Sequence, residues 1–273
     1  MNDPNSESVI GKSDLRVTLV QTNPLWEQPG RNRAELENLL IKNEVSTDII
    51  ILPEMFTTGF SMRAADLAEP PQGETLEWMR QMAAKLHCHM SGSWIVKEQA
   101  RYFNRLHWVH PDGTFQYYDK RHLFSPVGEG LVYTAGKRNI TVRVKGWNIR
   151  PLICYDLRFP VWSRNNNNEY DLLLYVANWP LARIAHWKLL LQARAVENQS
   201  YALGVNRVGS DANGYEFPGQ SMVVGAMGQV LFQAGEEQMQ ETVRLSYAEL
   251  KSYRERYPFW KDGDAFQLHQ PGG

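Results

Sequence analysis

Three reactive side chains stand at the ends of apolar or aromatic segments that are far apart in the sequence. They are Glu54 after Ile51-Leu52-Pro53, Lys120 after Tyr117-Tyr118-Asp119, and Cys154 after Leu152-Ile153. A carboxylate can accept the proton of a thiol, the thiolate can attack an amide carbon, and an ammonium can stabilise the oxyanion that develops. Together these residue types point to acyl transfer from an amide.

Each of the three residues taken alone has an ordinary structural interpretation. A lone cysteine in an apolar strand is usually a small buried side chain, a strand-end glutamate often caps a backbone, and a lysine is usually solvated. The residues after Cys154 favour a functional role for its thiol, because Tyr155-Asp156-Leu157-Arg158 predicts a sharp exit from the strand into a helix. A helix N-terminus favours the thiolate, which is the reactive form.

The order and spacing of these residues resemble those of the nitrilase superfamily of carbon–nitrogen hydrolases. Three motifs carry the resemblance: Leu52-Pro53-Glu54-Met55 with Thr58-Gly59-Phe60, Asp119-Lys120-Arg121-His122-Leu123-Phe124, and Cys154-Tyr155-Asp156-Leu157-Arg158-Phe159-Pro160. It covers the chain from about residue 15 to the final helix. The resemblance implies a triad of Glu54, Lys120 and Cys154. It also implies a second glutamate, Glu129, seven residues before Gly136 as in related amidases.

Within the superfamily the chain looks most like the ω-amidase branch. That branch hydrolyses the terminal amide of short 2-oxo dicarboxylic acid monoamides, of the 2-oxoglutaramate and 2-oxosuccinamate type. The motifs are Lys120-Arg121-His122-Leu123-Phe124, Ala177-Asn178-Trp179-Pro180 with His186-Trp187, residues 193–199, and Asn206-Arg207-Val208-Gly209. The implied mechanism forms a thioester on Cys154 after Glu54 takes its proton. Lys120 and the backbone N–H of Tyr155 meet the oxyanion, and neither a cofactor nor a metal ion is needed.

A 2-oxo acid substrate also carries a carboxylate, for which a bidentate guanidinium is a good partner. The sequence does not choose among the candidate arginines, which are Arg121, Arg183 and Arg207. Several aromatic residues near predicted strand ends are candidate pocket walls or core side chains, namely Phe60, Phe124, Tyr155 and Trp179. Arg158, close to Asp156, is expected to form a structural ion pair beneath the nucleophile.

Other functions are compatible with the same sequence. Within the superfamily the alternatives are a nitrilase or an N-carbamoyl amidohydrolase, and outside enzymes the alternative is an inactive member that serves as an interaction protein. A papain-like pairing of His186 with Cys154 is disfavoured because it leaves Glu54 and Lys120 without a role. The cluster His87-Cys88-His89 lacks a second pair of ligands at a suitable spacing for a metal site.

Composition limits the class of protein. The chain has 273 residues, a formal net charge of −1 and two cysteines. Near-neutral charge without charged blocks argues against a nucleic-acid or membrane partner, and few cysteines argue against a disulfide scaffold. The polar N-terminal residues lack the pattern of a secretory signal. We therefore expect a cytoplasmic protein whose partner is a small-molecule substrate.

The apolar pattern predicts one α/β domain over residues 1–273, with about 1–13 and 265–273 flexible or peripheral. Strands are predicted at 15–21, 48–54, 90–96, 104–110, 114–119, 140–144, 147–154, 171–177 and 201–208, with a hairpin at 221–232. Helices are predicted at 31–43, 74–87, after Cys154, at 182–198 and from about 248. The resemblance implies a four-layer α-β-β-α sandwich of two mixed sheets flanked by helices. It also implies a homodimer, and the helix at 182–198 is expected either at its interface or in the core.

Overall fold

The computed structural model describes residues 12–43 and 46–268. Its strands are β1 (Leu15–Gln21), β2 (Ile49–Ile51), β3 (His89–Glu98), β4 (Arg101–Val109), β5 (Phe115–Asp119), β6 (Val142–Val144), β7 (Trp147–Ile153), β8 (Leu172–Ala177), β9 (Tyr201–Asn206), β10 (Val208–Ser210), β11 (Glu216–Pro218), β12 (Met222–Val224), β13 (Val230–Gln233) and β14 (Met239–Leu245). The α-helices are α1 (Pro29–Lys42), α2 (Ala64–Leu67), α3 (Glu74–Leu86), α4 (Glu129–Val132), α5 (Pro160–Ser163), α6 (Ile184–Asn198) and α7 (Tyr247–Arg256). Of the ends predicted to be flexible or peripheral, residues 1–11 and 269–273 lie outside the described residues.

The first sheet has the strand order β14-β1-β2-β3-β4-β5. β1, β2 and β3 are parallel, whereas β14 pairs with β1 in the antiparallel sense. β4 and β5 continue the sheet as antiparallel neighbours. β5 therefore runs in the same direction as β2, so the chain leaves both strands at the same edge of the sheet.

The second sheet has the strand order β13-β12-β9-β8-β7-β6. Its centre is the parallel set β7, β8 and β9, with antiparallel strands on both sides. β8 is buried along its whole length, which explains its unbroken apolar sequence. β6 and β7, which match the strands predicted at 140–144 and 147–154, pair as a hairpin in which Lys145 and Gly146 take the positive φ angles that a tight turn requires.

The two sheets pack face to face, and helices cover their outer faces. Val17 and Leu19 of the first sheet share one buried cluster with Leu152 and Leu174 of the second. On the outer face of the first sheet, α1 and α3 pack in a separate buried cluster with residues of β2 and β3. On the second sheet, α6 lies so close that a Cβ on Gly204 would stand 2.4 Å from the Trp187 ring. The predicted four-layer α-β-β-α sandwich of two mixed sheets is confirmed.

The structure departs from the predicted elements in several places, and the short helices α2 and α4 were not predicted. The strand predicted at 201–208 is divided into β9 and β10, and β10 pairs with β11 in a separate hairpin. β14 was not predicted at all. The helix predicted after Cys154 is a 3₁₀ turn, Cys154–Arg158, followed by the four-residue α5. Within the described part of the chain, no helix combines the length and the apolar character needed to cross a membrane.

Candidate active site

The residues that follow three strands come together in one cavity. Glu54 and Lys120 leave β2 and β5 at the same edge of the first sheet, and Cys154 directly follows β7 of the second sheet. All three side chains line a cavity with about 530 Å³ of empty space, counting its open mouth. The structure thus brings together the carboxylate, the ammonium and the thiol.

The Lys120 ammonium is held between two carboxylates. Its Nζ donates to Glu54 Oε1 at 2.9 Å and lies 3.0 Å from both carboxylate oxygens of Glu129. None of these three side chains is more than 1% exposed. Glu129 begins α4, and its carboxylate also accepts a hydrogen bond from the backbone N–H of Phe124. The predicted second glutamate therefore contacts the lysine directly.

Burial and charge shift the pKa values at this site. Burial by itself lowers the pKa of Lys120, but the charges of Glu129 and Glu54 outweigh it and hold that pKa above its ordinary value. Burial raises the pKa of Glu129, and the Lys120 ammonium opposes the rise. Burial, reinforced by the charge of Glu54, raises the pKa of Cys154 well above the usual range. At neutral pH the lysine is charged and the thiol is protonated, so the thiol needs a base to react.

The expectation that a helix N-terminus stabilises the Cys154 thiolate is wrong for this resting site. Cys154 opens a short 3₁₀ turn, not a long α-helix. The favourable effect of a helix end on an anion is about 0.3–1 kcal/mol, and here burial and the charge of Glu54 outweigh it.

The backbone around Cys154 is strained. Cys154 has a φ of +40°, and Met55, which follows Glu54, has a φ of +45°. Non-glycine residues rarely adopt this left-handed region, and when they do they cluster at functional sites. The first N–H groups of a helical turn have no partner within the turn, so the N–H of Tyr155 lies at the open end, next to Cys154.

Two asparagines that the sequence analysis did not single out as site residues hold the Glu54 carboxylate. Asn104 donates to Glu54 Oε1 at 2.7 Å, and the backbone N–H of Asn178 donates to Glu54 Oε2 at 2.8 Å. The Asn178 carbonyl also lies 3.9 Å from the Cys154 Sγ. Asn178 directly follows β8, so the strand-end pattern that pointed to Glu54, Lys120 and Cys154 could also have indicated Asn178. Asn104 lies inside β4, where the sequence carries no such signal.

The predicted aromatic residues all line the cavity: Phe60, Phe124, Tyr155 and Trp179. The Phe60 ring centroid is 5.1 Å from the Lys120 Nζ, and the Phe124 and Tyr155 rings are 5.0 Å apart. Tyr215 and Phe217 add a wall from the β10–β11 hairpin, which the sequence analysis did not predict. The cavity wall is therefore mainly apolar around a charged floor.

Arg183 is the predicted arginine that lines the cavity. Its guanidinium lies 5.1 Å from the Phe124 ring centroid, and it has no carboxylate partner among residues 12–43 and 46–268. Arg158 lines the cavity as well, 4.9 Å from the Trp179 ring centroid and 3.1 Å from His186 Nδ1. Two guanidinium groups thus face an apolar cavity without a carboxylate partner in the described structure.

The other two candidate arginines lie outside the cavity wall. Arg121 donates to the Gly136 carbonyl at 3.1 Å, with its guanidinium 5.2 Å from the Trp162 ring centroid. Arg207 is fully buried and donates to Asn23 Oδ1 at 3.0 Å and to two backbone carbonyls. Both guanidinium groups are committed to contacts within the fold.

The predicted ion pair between Arg158 and Asp156 is wrong. The Asp156 carboxylate accepts hydrogen bonds from Tyr118, His122 and Ile153 instead. The donors of the segment around Lys120 and of β7 already occupy the carboxylate. Arg158, at the end of the 3₁₀ turn, lines the cavity instead.

Neither of the two disfavoured histidine arrangements is found among the described residues. His186 contacts Arg158, and no contact with Cys154 is found in the described structure. Cys88 is buried, and His89 packs against His110 with ring centroids 4.9 Å apart. Over residues 12–43 and 46–268, no group of three or more His, Cys, Asp or Glu side chains is arranged to hold a metal ion.

Comparisons with known proteins agree with this geometry. The family model of carbon-nitrogen hydrolases matches residues 16–258. The chain is 46% identical to the omega-amidase YafV of Yersinia enterocolitica, over 94% of this chain and 99% of that protein. It is 31% identical to the 2-oxoglutaramate amidase of Bacillus subtilis, over 90% of this chain and 96% of that protein. The crystal structure of XC1258 from Xanthomonas campestris, a CN-hydrolase superfamily protein, superposes with a TM-score of 0.92 at 44% identity, covering 94% of this chain and 99% of that chain. The chain therefore belongs to the carbon-nitrogen hydrolase family.

Proposed function

We propose that this protein is an ω-amidase. Its substrates are short 2-oxo dicarboxylic acid monoamides of the 2-oxoglutaramate and 2-oxosuccinamate type, and its products are the dicarboxylic acid and ammonia. The observation that carries the proposal is a cavity with Glu54, Lys120 and Cys154 on its floor and an unpaired guanidinium, Arg183, on its wall. The similarity to omega-amidase YafV and 2-oxoglutaramate amidase supports the same substrate class.

The site chemistry proceeds through a thioester. The raised pKa of Cys154 keeps its thiol protonated until a substrate arrives. Glu54 then accepts the thiol proton. The Sγ attacks the amide carbon, and the oxyanion is met by the Lys120 ammonium and the Tyr155 N–H. Glu54 returns the proton to the nitrogen, so ammonia leaves as the C–N bond breaks. Water, deprotonated by Glu54, then cleaves the thioester and restores the thiol.

Glu129 keeps the Lys120 ammonium in place during these steps. The two carboxylates around Lys120 hold it in the charged state, as its raised pKa indicates. A permanently charged donor close to the nucleophile suits the stabilisation of an oxyanion, because a buried charge acts strongly where water is excluded.

Arg183 binds the carboxylate at the far end of the substrate. A guanidinium without a carboxylate partner, set in an apolar wall, attracts an anionic group more strongly than a neutral one. Arg158 adds a second positive charge to the same cavity, and its contact with His186 fixes its direction. Phe60, Phe124 and Trp179 enclose the short carbon chain between the two ends.

Ammonia release from a panel of compounds tests the substrate class. The panel comprises 2-oxoglutaramate, glutamine, a simple aliphatic amide, a nitrile and an N-carbamoyl amino acid. The proposal predicts the highest kcat/KM for 2-oxoglutaramate. Preference for the nitrile or the carbamoyl compound would assign the chain to one of those activities instead, and no turnover of any compound would favour an inactive interaction protein.

We also propose that the protein acts as a cytoplasmic homodimer. The support is an apolar surface at α6 and the β12–β13 turn, where Leu189 is 65% exposed, Val196 47% and Met227 63%. Apolar patches of this kind mark interfaces between proteins. Sedimentation of the wild type and of Leu189→Glu tests the dimer: a wild-type monomer, or a variant that remains a dimer, contradicts an interface at α6.

A further inference from the structure

Asp156 lies two residues after the nucleophile and is fully buried. Its Oδ2 accepts hydrogen bonds from the Tyr118 hydroxyl at 2.8 Å and from the Ile153 N–H at 3.1 Å. Its Oδ1 accepts from the His122 N–H at 2.9 Å, and His122 Nδ1 lies at 2.8 Å. Because a carboxylate only accepts, His122 carries its proton on Nδ1. The carboxylate is thus saturated by donors, and none of them is an arginine or a lysine.

Two of these three donor residues, Tyr118 and His122, come from the segment that carries the catalytic lysine. Tyr118 and His122 stand two residues before and two residues after Lys120. Tyr118 belongs to β5 of the first sheet, whereas Asp156 lies in the turn after β7 of the second sheet. One carboxylate therefore joins the chain on both sides of the lysine to the turn that begins with the nucleophile.

Neighbouring side chains fix the geometry of this connection. The Tyr118 hydroxyl accepts a hydrogen bond from Trp162 Nε1 at 3.0 Å, so its own proton is directed to Asp156. The His122 ring stacks on Phe159, with centroids 3.7 Å apart and planes at 8°. Both donors of the lysine segment are held in single orientations.

We propose that Asp156 is a positioning residue, which through Tyr118 and His122 sets where the Lys120 ammonium stands relative to the Cys154 Sγ. The inference rests on the proposed reaction at Cys154. Hydrogen bonds to a carboxylate are about twice as strong as neutral ones, so they suit a connection between two sheets. An asparagine cannot replace it, because its NH₂ group would face donors at one of the two oxygen positions.

The test compares Asp156→Asn and Tyr118→Phe with the matched control Tyr175→Phe. The Tyr175 hydroxyl is also buried, but its hydrogen-bond partner is Ser163 Oγ at 2.7 Å and not Asp156. We expect kcat for 2-oxoglutaramate to fall about a hundredfold in Asp156→Asn and about tenfold in Tyr118→Phe, with KM changed by less than about threefold, because misplacement by 1 Å has costs of that order. The control keeps kcat within about twofold of the wild type.

Crystal structures of the wild type and of Asp156→Asn test the same inference without a substrate. In the variant, the Lys120 Nζ is expected to move away from its 2.9 Å contact with Glu54 Oε1. A lysine that stays in place, or an equal loss of kcat in Tyr175→Phe, overturns the inference. If Asp156→Asn does not fold, Tyr118→Phe supplies both measurements, namely kcat and the position of the Lys120 Nζ. Absence of turnover by the wild type contradicts the proposed function instead, and the crystal comparison still decides the role of Asp156.

Discussion

Substitution of Lys120 by methionine removes the cation between two buried carboxylates. Glu54 and Glu129 are both 0% exposed, and the pKa of Glu129 is raised by burial even with the ammonium 3.0 Å away. Removal of one partner from a buried ion pair costs about 3–5 kcal/mol. We therefore expect Lys120→Met to lower the free energy of unfolding by about that amount at neutral pH, and to lower kcat by about a hundredfold or more.

The pH dependence of this loss has a definite sign. A group whose pKa is raised in the folded protein favours folding below its unfolded pKa, and this contribution is lost as the pH rises through the folded pKa. Removal of Lys120 raises the pKa of Glu129 further, because the ammonium opposes the effect of burial. The stability loss in Lys120→Met is therefore largest at neutral pH and shrinks as the pH falls toward 4.5, the ordinary value for glutamate.

Urea unfolding of the wild type and the variant, at about pH 7.5 and about pH 5, measures both effects. The matched control is Lys251→Met, since Lys251 is 61% exposed and pairs with Glu255 at 3.7 Å, and such surface pairs contribute at most about 1 kcal/mol. In Lys120→Met/Glu129→Gln most of the stability should return, because one of the uncompensated charges is gone. Wild-type stability of Lys120→Met at neutral pH, or an equal loss at both pH values, would refute the reasoning.

Three further substitutions have defined outcomes. Arg183→Gln should raise KM for 2-oxoglutaramate about 10–100-fold, since a hydrogen bond to a charged group contributes about 1.5–3 kcal/mol, and an equal rise for a neutral amide would contradict it. Burial raises the pKa of Cys88 from 9.0 to about 12, so stability is lost as the pH rises above 9.0. From about pH 8.5 to about pH 10.5 the wild type should lose about 2 kcal/mol more than Cys88→Ala in urea unfolding, whereas parallel curves would exclude this contribution. In Gly204→Ala the new Cβ meets the Trp187 ring at 2.4 Å, and calorimetry should show a lower Tm, corresponding to about 1–3 kcal/mol; an unchanged Tm would mean that α6 moves freely on the sheet.

Local patterns were sufficient to predict the strands that carry the site. β2, β5 and β7 are short apolar or aromatic runs, and Glu54, Lys120 and Cys154 follow them within three residues. Carboxyl ends of strands that run in one direction lie at one edge of a sheet, which brings Glu54 and Lys120 together after β2 and β5. Cys154 reaches them from β7 of the second sheet, so its approach depends on how the two sheets pack. The sequence was therefore sufficient to predict which residue types form the site. The distances between their side chains come only from the structure.

Elements stabilised by distant partners were not predictable in the same way. β14 has a polar, half-exposed sequence, and it becomes a strand by pairing with β1 more than 200 residues earlier, with Thr242 bonded to Thr18 at 2.8 Å. The role of Asp156 was missed for the same reason, because its donors Tyr118 and His122 lie more than 30 residues away. Spacing along the chain suggested the neighbouring Arg158 as its partner.

The shortened helix after Cys154 has a local cause. Phe159 precedes Pro160, and a residue before proline is pushed out of the helical region. Phe159 has φ −113° and ψ +89°, so the 3₁₀ turn ends there and α5 begins anew at the proline.

Ammonia release by Cys154→Ala tests the central claim most directly. The matched control is Cys88→Ala, which removes the second thiol of the chain from a buried position in the core, outside the cavity wall. Loss of a catalytic nucleophile lowers turnover by several orders of magnitude, so we expect Cys154→Ala to retain less than about one-thousandth of the wild-type kcat. Cys88→Ala should keep wild-type turnover. Wild-type turnover in Cys154→Ala would contradict the thioester mechanism.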